Sequence, residues 1–118
     1  MTADRLLLGF GGLFGAAGVA LAAQAAHGGG AFTQTISTML LVHAPLLVGL
    51  GASGAVLSNR ILRLAALTLL AGVALFALDL YVRDFGMARL FPFAAPLGGV
   101  AMIAGWLGVA LSAFAIRR

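Results

Sequence analysis

Cysteine, lysine and glutamate are absent from this chain of 118 residues, and charged residues of any kind make up only 8% of it. Without cysteine the chain can form no disulfide, no thiolate metal site and no cysteine nucleophile, and it gives no indication of a redox compartment. Without lysine it cannot contain a phosphate-binding P-loop. A soluble domain is typically about 25% charged, so this composition excludes an ordinary water-soluble globule.

What the chain has instead is apolar residues, which make up 63% of it and give a mean hydropathy of +1.14. They form four runs, each at least as long as the roughly 20 residues that a helix needs to cross the hydrocarbon core of a membrane. Backbone groups in lipid must be paired within the segment, which predicts helices. The first run exceeds the apolar region of a signal peptide, so we interpret it as an uncut helix. We expect one all-α integral membrane domain over residues 1–118, a compact bundle with spans at about 6–26, 35–58, 61–82 and 95–116.

The net charge is +4, but the seven arginines stand in ones and twos at the ends of apolar runs. They form no basic face, so we expect no nucleic-acid partner. Cytoplasmic loops of membrane proteins carry an excess of arginine and lysine. Five arginines fall on the side of the termini, and two fall on the other side: Arg5, Arg60, Arg63, Arg117 and Arg118 against Arg83 and Arg89. This predicts cytoplasmic termini and, in a bacterium, an inner-membrane location.

Small residues recur at helical spacing in three of the runs, which allows the close backbone approach that membrane helices use to associate. In the first run they are Gly11, Gly15 and Gly18, and in the fourth Gly98, Gly105 and Gly108. The second run contributes Gly51, Gly54 and Ser58. We interpret these residues as helix-packing positions, and a further small-residue face could pack against another chain.

His43 is the one titratable residue that an apolar run places near the middle of a span. Because a charged imidazole is costly there, we interpret it as a neutral ring bonded to a neighbouring helix. The alternatives are a proton relay, a metal ligand or a haem ligand. The thioether of Met39, four residues earlier, is a suitable copper ligand, but His43 and Met39 alone make an incomplete ligand set. Pro45 is expected to kink the helix. His27 is interpreted as a solvated loop residue, with a haem shared with His43 as the alternative.

Asp79 is the one carboxylate placed well inside an apolar run, and Arg83 follows it at helical i+4 spacing. This spacing predicts an ion pair within one helix, near the boundary of the apolar core. The functional alternative is a coupling carboxylate for cation export. No serine, histidine and acid arrangement suggests a hydrolase, so we expect a protein that is not an enzyme and has no catalytic residues.

The sequence Pro96-Leu97-Gly98-Gly99, followed by Gly105-Trp106-Leu107, resembles the closing motif of a known family. This is the uncharacterised bacterial membrane family catalogued as domain of unknown function 423, which has mitochondrial relatives. Phe14-Gly15 through Ala26-His27 is similar to the family's glycine-alanine run, and His43-Ala44 to its Tyr-His-Ala. Met39, Val42, Pro45 and Asp79 depart from the family pattern. The resemblance implies four spans and an inner-membrane location, and it implies no activity.

Two functions remain open from the residues. The first is a non-enzymatic accessory or stabilising subunit that packs against itself or another membrane protein, with lipid contacts and no cofactor. The second is a small transporter, or a carrier of a metal or haem cofactor, that uses His43 and Asp79. The sequence identifies no substrate, partner, oligomeric state or metal, and it does not decide whether His43 changes protonation.

Overall fold

The computed structural model of the protein describes residues 1–116, and every regular element in that range is helical. The elements are α1 (Ala3–Ala26), α2 (Thr33–Ser53), the short α3 (Ala55–Ser58), α4 (Arg60–Asp84), α5 (Ala94–Ser112) and a 3-10 turn (Ala113–Ala115). Four segments, α1, α2, α4 and α5 with the turn that follows it, are long and apolar enough to cross a membrane. The predicted all-α class with four long apolar helices is therefore confirmed.

The long helices alternate in direction, so the connections between them gather at two ends of the molecule. The loop end holds residues 27–32, between α1 and α2, and residues 85–93, between α4 and α5. The terminal end holds Met1, α3 and Ile116. The molecule measures 50 × 28 × 24 Å, and its long dimension is close to the roughly 40–45 Å of a bilayer with its headgroups.

The chain turns sharply at the terminal end because Gly54 adopts a left-handed conformation, with φ of 70°. Glycine reaches this region without the steric cost that a Cβ imposes, and it commonly ends helices for this reason. Asn59 then begins α4, because its side-chain oxygen accepts a hydrogen bond from Leu62 N at 3.0 Å. The amide of the same side chain donates to Ser112 O at 3.1 Å, which joins the start of α4 to the end of α5.

The helices pair as two hairpins, α1 with α2 and α4 with α5, and glycines lie where the partners cross. A Cβ added to Gly11 would lie 2.9 Å from Val48 N, and one added to Gly98 would lie 2.8 Å from Gly72 O. Such distances are shorter than packed atoms tolerate, so these crossings require glycine. In the first hairpin, the Ser37 hydroxyl also donates to Gly18 O at 2.8 Å.

The two hairpins join mainly through α2 and α4, which lie against each other in the centre of the bundle. One core cluster contains Ile36 and Leu40 of α2 with Leu69 and Val73 of α4. A second cluster, which includes Val56 of α3, fills the terminal end. Close packing of these apolar side chains joins the two hairpins.

The helix bounds differ from the predicted spans at most ends: α1 begins at Ala3 instead of residue 6, α2 begins at Thr33 instead of residue 35, and α5 ends at Ser112 instead of residue 116. The run predicted at 35–58 divides at Gly54 into α2 and α3, because the left-handed residue ends the first helix. Helix α4 continues two residues past the predicted 61–82 and ends at Asp84. Arg117 and Arg118, two of the five arginines behind the predicted orientation, lie outside the described residues.

Candidate functional site

His43 lies on α2 with 3% of its surface exposed, and both of its ring nitrogens are hydrogen bonded. Nδ1 is 2.7 Å from Met39 O, and a carbonyl can only accept, so Nδ1 carries the proton. Nε2 therefore has a free lone pair, which accepts a bond from the Trp106 indole at 3.1 Å. These two bonds attach the ring to its own helix at Met39 and to α5 at Trp106.

This arrangement limits what His43 can bind. A metal or a second proton at Nε2 would have to displace the indole N–H of Trp106, because that bond occupies the only free lone pair. Met39 contributes its backbone carbonyl, and its side chain packs on the core cluster between α2 and α4. Within residues 1–116, no group of three or more histidine, cysteine or acidic side chains could hold a metal ion. The alternative of a copper or haem site at His43 stays a prediction, and such a site would need ligands beyond His43 and Met39.

His27 lies apart from His43. It follows the last residue of α1, is exposed, and has its Nδ1 atom 2.8 Å from Ala23 O. His43 lies ten residues into α2, which places it roughly 15 Å further along the helix axis from the loop end. The structure does not bring the two histidines together as a pair of haem ligands.

Asp79 is completely buried in α4, and it holds the connection to α5 in place. Its Oδ1 atom accepts a hydrogen bond from Leu90 N at 2.9 Å. Oδ2 lies 3.8 Å from the Arg83 guanidinium, one helical turn away, which matches the ion pair expected from the spacing. Oδ2 has no hydrogen-bond partner among the described residues. Asp79 thus fixes the loop and keeps one carboxylate oxygen unsatisfied.

Asp84 makes a third connection, which is partly buried and which the sequence analysis did not find. Its carboxylate accepts from Phe32 N and from the Thr33 hydroxyl, both at 2.9 Å. The last residue of α4 thereby caps the first turn of α2, where backbone N–H groups lack partners within the helix. The Arg83 guanidinium lies 4.6 Å from the centre of the Phe32 ring. We call Phe32, Thr33, Asp79, Arg83 and Asp84 the loop-end cluster.

The buried polar residues thus form two separate sites. Asp79 lies five residues from the end of α4 and His43 ten residues from the start of α2, a difference in depth of roughly 7 Å. No hydrogen bond or ion pair among the described residues joins them. Trp106 and Asp84 were missed as partners because apolar periodicity carries no information on which side chains of distant helices meet. The signal available was the lone tryptophan, whose indole N–H needs an acceptor when buried.

A protein-family model described as "Protein of unknown function (DUF423)" matches residues 13–99 of the chain. The matched segment runs from the middle of α1 into the first turns of α5. It therefore includes His43, Asp79 and the loop-end cluster, whereas Trp106 lies beyond it. No curated protein and no solved structure is similar enough to count as a match.

Proposed function

The chain belongs to the DUF423 family of proteins of unknown function, and we propose that it is a non-enzymatic membrane subunit that stabilises a larger assembly. The observation that carries this proposal is the use of the buried polar groups. Both ring nitrogens of His43 and both carboxylate oxygens of Asp84 are hydrogen bonded within the bundle, and Asp79 holds the loop before α5 in place. Groups fixed in this way serve packing better than they serve turnover.

The proposed location is the bacterial inner membrane, with both termini in the cytoplasm. The four long apolar helices support a multi-pass protein, and the arginines near the termini support this orientation by the positive-inside rule. The proposed partner is another membrane protein or a second copy. An exposed small-residue face on α1 supports it, since a Cβ on Gly9 or Gly12 meets nothing within 4 Å. Small residues let a second helix approach closely.

The experiment is native extraction of the tagged full chain in a mild detergent, followed by native electrophoresis and mass spectrometry of what comigrates. We expect a species larger than the monomer. The variant Gly12→Leu should dissociate it, because the new side chain projects from the free face of α1 without touching its own bundle. Gly99→Leu is the matched control, since Gly99 on α5 also has open space around it. A strictly monomeric particle without a partner would contradict the proposal.

A second candidate function is a small transporter or a metal or haem carrier based on His43 and Asp79. The observation that favours it is the buried Oδ2 atom of Asp79, which has an ion pair with Arg83 at 3.8 Å but no hydrogen bond, because buried polar groups without a hydrogen bond concentrate at functional sites. This function predicts that His43→Ala and Asp79→Asn each abolish transport or a visible absorption band. Wild-type behaviour of both variants would remove it.

A further inference from the structure

A long groove lies between α1 and α4 on the surface of the bundle, with Ile36 and Leu40 of α2 between the two helices. Its volume is about 550 Å³. The space exists because α1 and α4 face each other there with alanines, which do not reach across the gap. We call it the α1–α4 groove, and these alanines are Ala17, Ala20, Ala74 and Ala77.

The dimensions of the groove fit an extended hydrocarbon chain better than they fit an α-helix. On α1 its lining runs from Phe10 to Gln24, a rise of roughly 21 Å along the helix. A helix about 10 Å wide would occupy about 1,600 Å³ over that length, more than the empty space of about 1120 Å³ in the groove and at its open side. Half of the hydrocarbon core measures about 15 Å, so the groove is long enough for an acyl chain of one leaflet.

The polarity of the groove changes along its length. Its walls are apolar, with Leu13 and Phe14 on α1 and Leu78 on α4, whereas Gln24 and Tyr81 line it near the loop end. Both polar residues lie within the last turn of their helices, at the depth where a bilayer becomes polar. The side chains of Gln24 and Tyr81 make no hydrogen bond within residues 1–116. An apolar trough with a polar mouth complements an amphiphile.

We propose that the α1–α4 groove binds one acyl chain of a membrane phospholipid in the leaflet at the loop end. The glycerol ester region lies at Gln24 and Tyr81, whose amide and hydroxyl can donate to ester oxygens. The acyl chain follows α1 towards Phe10. This inference rests on the membrane location given under the proposed function. It is independent of the accessory role, because the face of α1 that carries Gly9 and Gly12 lies outside the groove lining.

The test uses the full chain in vesicles of phosphatidylethanolamine and phosphatidylglycerol. A tracer phospholipid carries a photoreactive diazirine within one acyl chain, and adducts are mapped by peptide mass spectrometry. We expect adducts concentrated at Leu13, Phe14 and Leu78. Labelling spread evenly over exposed apolar residues outside the groove, such as Val19 and Ile103, would overturn the proposal. Flotation of the vesicles first measures membrane insertion, so failure of the location is distinguished from failure of the groove.

A matched pair of variants isolates the groove. Ala17→Phe fills it, whereas Ala16→Phe adds the same ring at the neighbouring exposed residue, which does not line the groove. We expect Ala17→Phe to lower labelling at least fivefold and Ala16→Phe to leave it unchanged. Ala20→Phe is a second filling variant, and thermal unfolding of each variant checks the fold. Equal labelling of the folded Ala16→Phe and Ala17→Phe variants would overturn the proposal.

A second probe, with the diazirine at the carbonyl end of the acyl chain, measures binding at the polar end of the groove, where Gln24 and Tyr81 lie. Tyr81→Phe and Gln24→Leu keep most of the groove shape and remove the hydrogen-bonding groups. We expect the double variant to lower this labelling severalfold, while adducts from the chain-end probe near Leu13 fall much less. Unchanged labelling by the carbonyl-end probe would overturn the placement of the ester region.

Discussion

The His43 ring is buried and Trp106 is 41% exposed on the bundle surface, and each side chain satisfies a polar group of the other that would be costly to leave unpaired in apolar surroundings. The indole N–H can only donate, and Nε2 of the neutral imidazole can accept, so each supplies what the other lacks. The ring centres are 5.7 Å apart, so the two side chains also pack against each other. The single tryptophan of the chain thus links the first hairpin to the second.

Replacing Trp106 by Phe should destabilise the protein mainly through this bond. In membrane proteins, double-mutant cycles of interhelical hydrogen bonds average about 0.6 kcal/mol and reach about 1.7 kcal/mol. We expect Trp106→Phe to lower the free energy of unfolding by about 1 kcal/mol more in the protein with His43 than in the His43→Leu variant. Reversible unfolding in mixed micelles measures both values. Equal costs in both backgrounds would mean that the two side chains are not coupled.

Asp84 satisfies backbone and side-chain groups at the start of α2 from a position 51 or more residues away. In Asp84→Ala, Phe32 N loses its partner while it remains partly buried, which we expect to cost about 1–3 kcal/mol. Asp84→Asn is the control, because its amide oxygen can still accept from Phe32 N. We expect it to lose less stability, and amide hydrogen exchange should show fraying of the first turn of α2 only in the alanine variant. Equal losses in the two variants would contradict the capping role.

At the scale of the elements, the close crossing of α4 and α5 depends on the absence of a side chain at particular residues. Gly98 and Gly99 are neighbours in α5, but only Gly98 faces α4. A Cβ at Gly98 would lie 2.8 Å from Gly72 O and from Phe76 N, both backbone atoms, whereas one at Gly99 would meet nothing within 4 Å. Backbone atoms cannot move aside as a side-chain end can, so the helices themselves would have to separate.

These two neighbouring glycines give opposite predictions for the same substitution. Gly98→Ala should destabilise the protein by about 1–3 kcal/mol, the usual cost of overpacking a tight contact. Gly99→Ala should be neutral or stabilising by up to about 1 kcal/mol, because alanine favours the helix over glycine. Unfolding of both variants in the same micelles makes the comparison. A similar effect of the two changes would show that the crossing tolerates a methyl group.

The four apolar runs could be predicted from sequence because their length and hydrophobicity, which are those of membrane spans, can be read directly from the residues. The end of α2 could not be predicted, since the spacing of the small residues gives Gly51 and Gly54 the same role in helix packing. A Cβ added to Gly51 would lie within 2.7 Å of the α1 backbone at Leu8 and Asp4, whereas Gly54 adopts the left-handed conformation that ends the helix. At the candidate site, the spacing of Asp79 and Arg83 predicted their contact within one helix. The partners of His43 and Asp84 lie on other helices, whose relative rotation the periodicity does not fix.

At the scale of the whole molecule, polar connections close the bundle at both ends while its sides stay apolar. Asp84 joins α4 to α2 at the loop end, and Asn59 joins α4 to α5 at the terminal end. Both involve α4, which also meets α2 in the core and lines the α1–α4 groove with α1. Helix α4 is therefore the element that connects α5 to the hairpin of α1 and α2.

The proposed orientation of the whole molecule can be measured with single cysteines, and the native chain gives no background because it contains none. Ser58→Cys lies at the terminal end and Ala88→Cys at the loop end, and both positions are exposed. Neither change alters an arginine, so the charge asymmetry that sets the orientation is preserved. A membrane-impermeant maleimide added to bacterial spheroplasts should label Ala88→Cys at once and Ser58→Cys only after permeabilisation. The reverse pattern would place the termini outside the cytoplasm, and the five arginines on the side of the termini would then not have determined the topology.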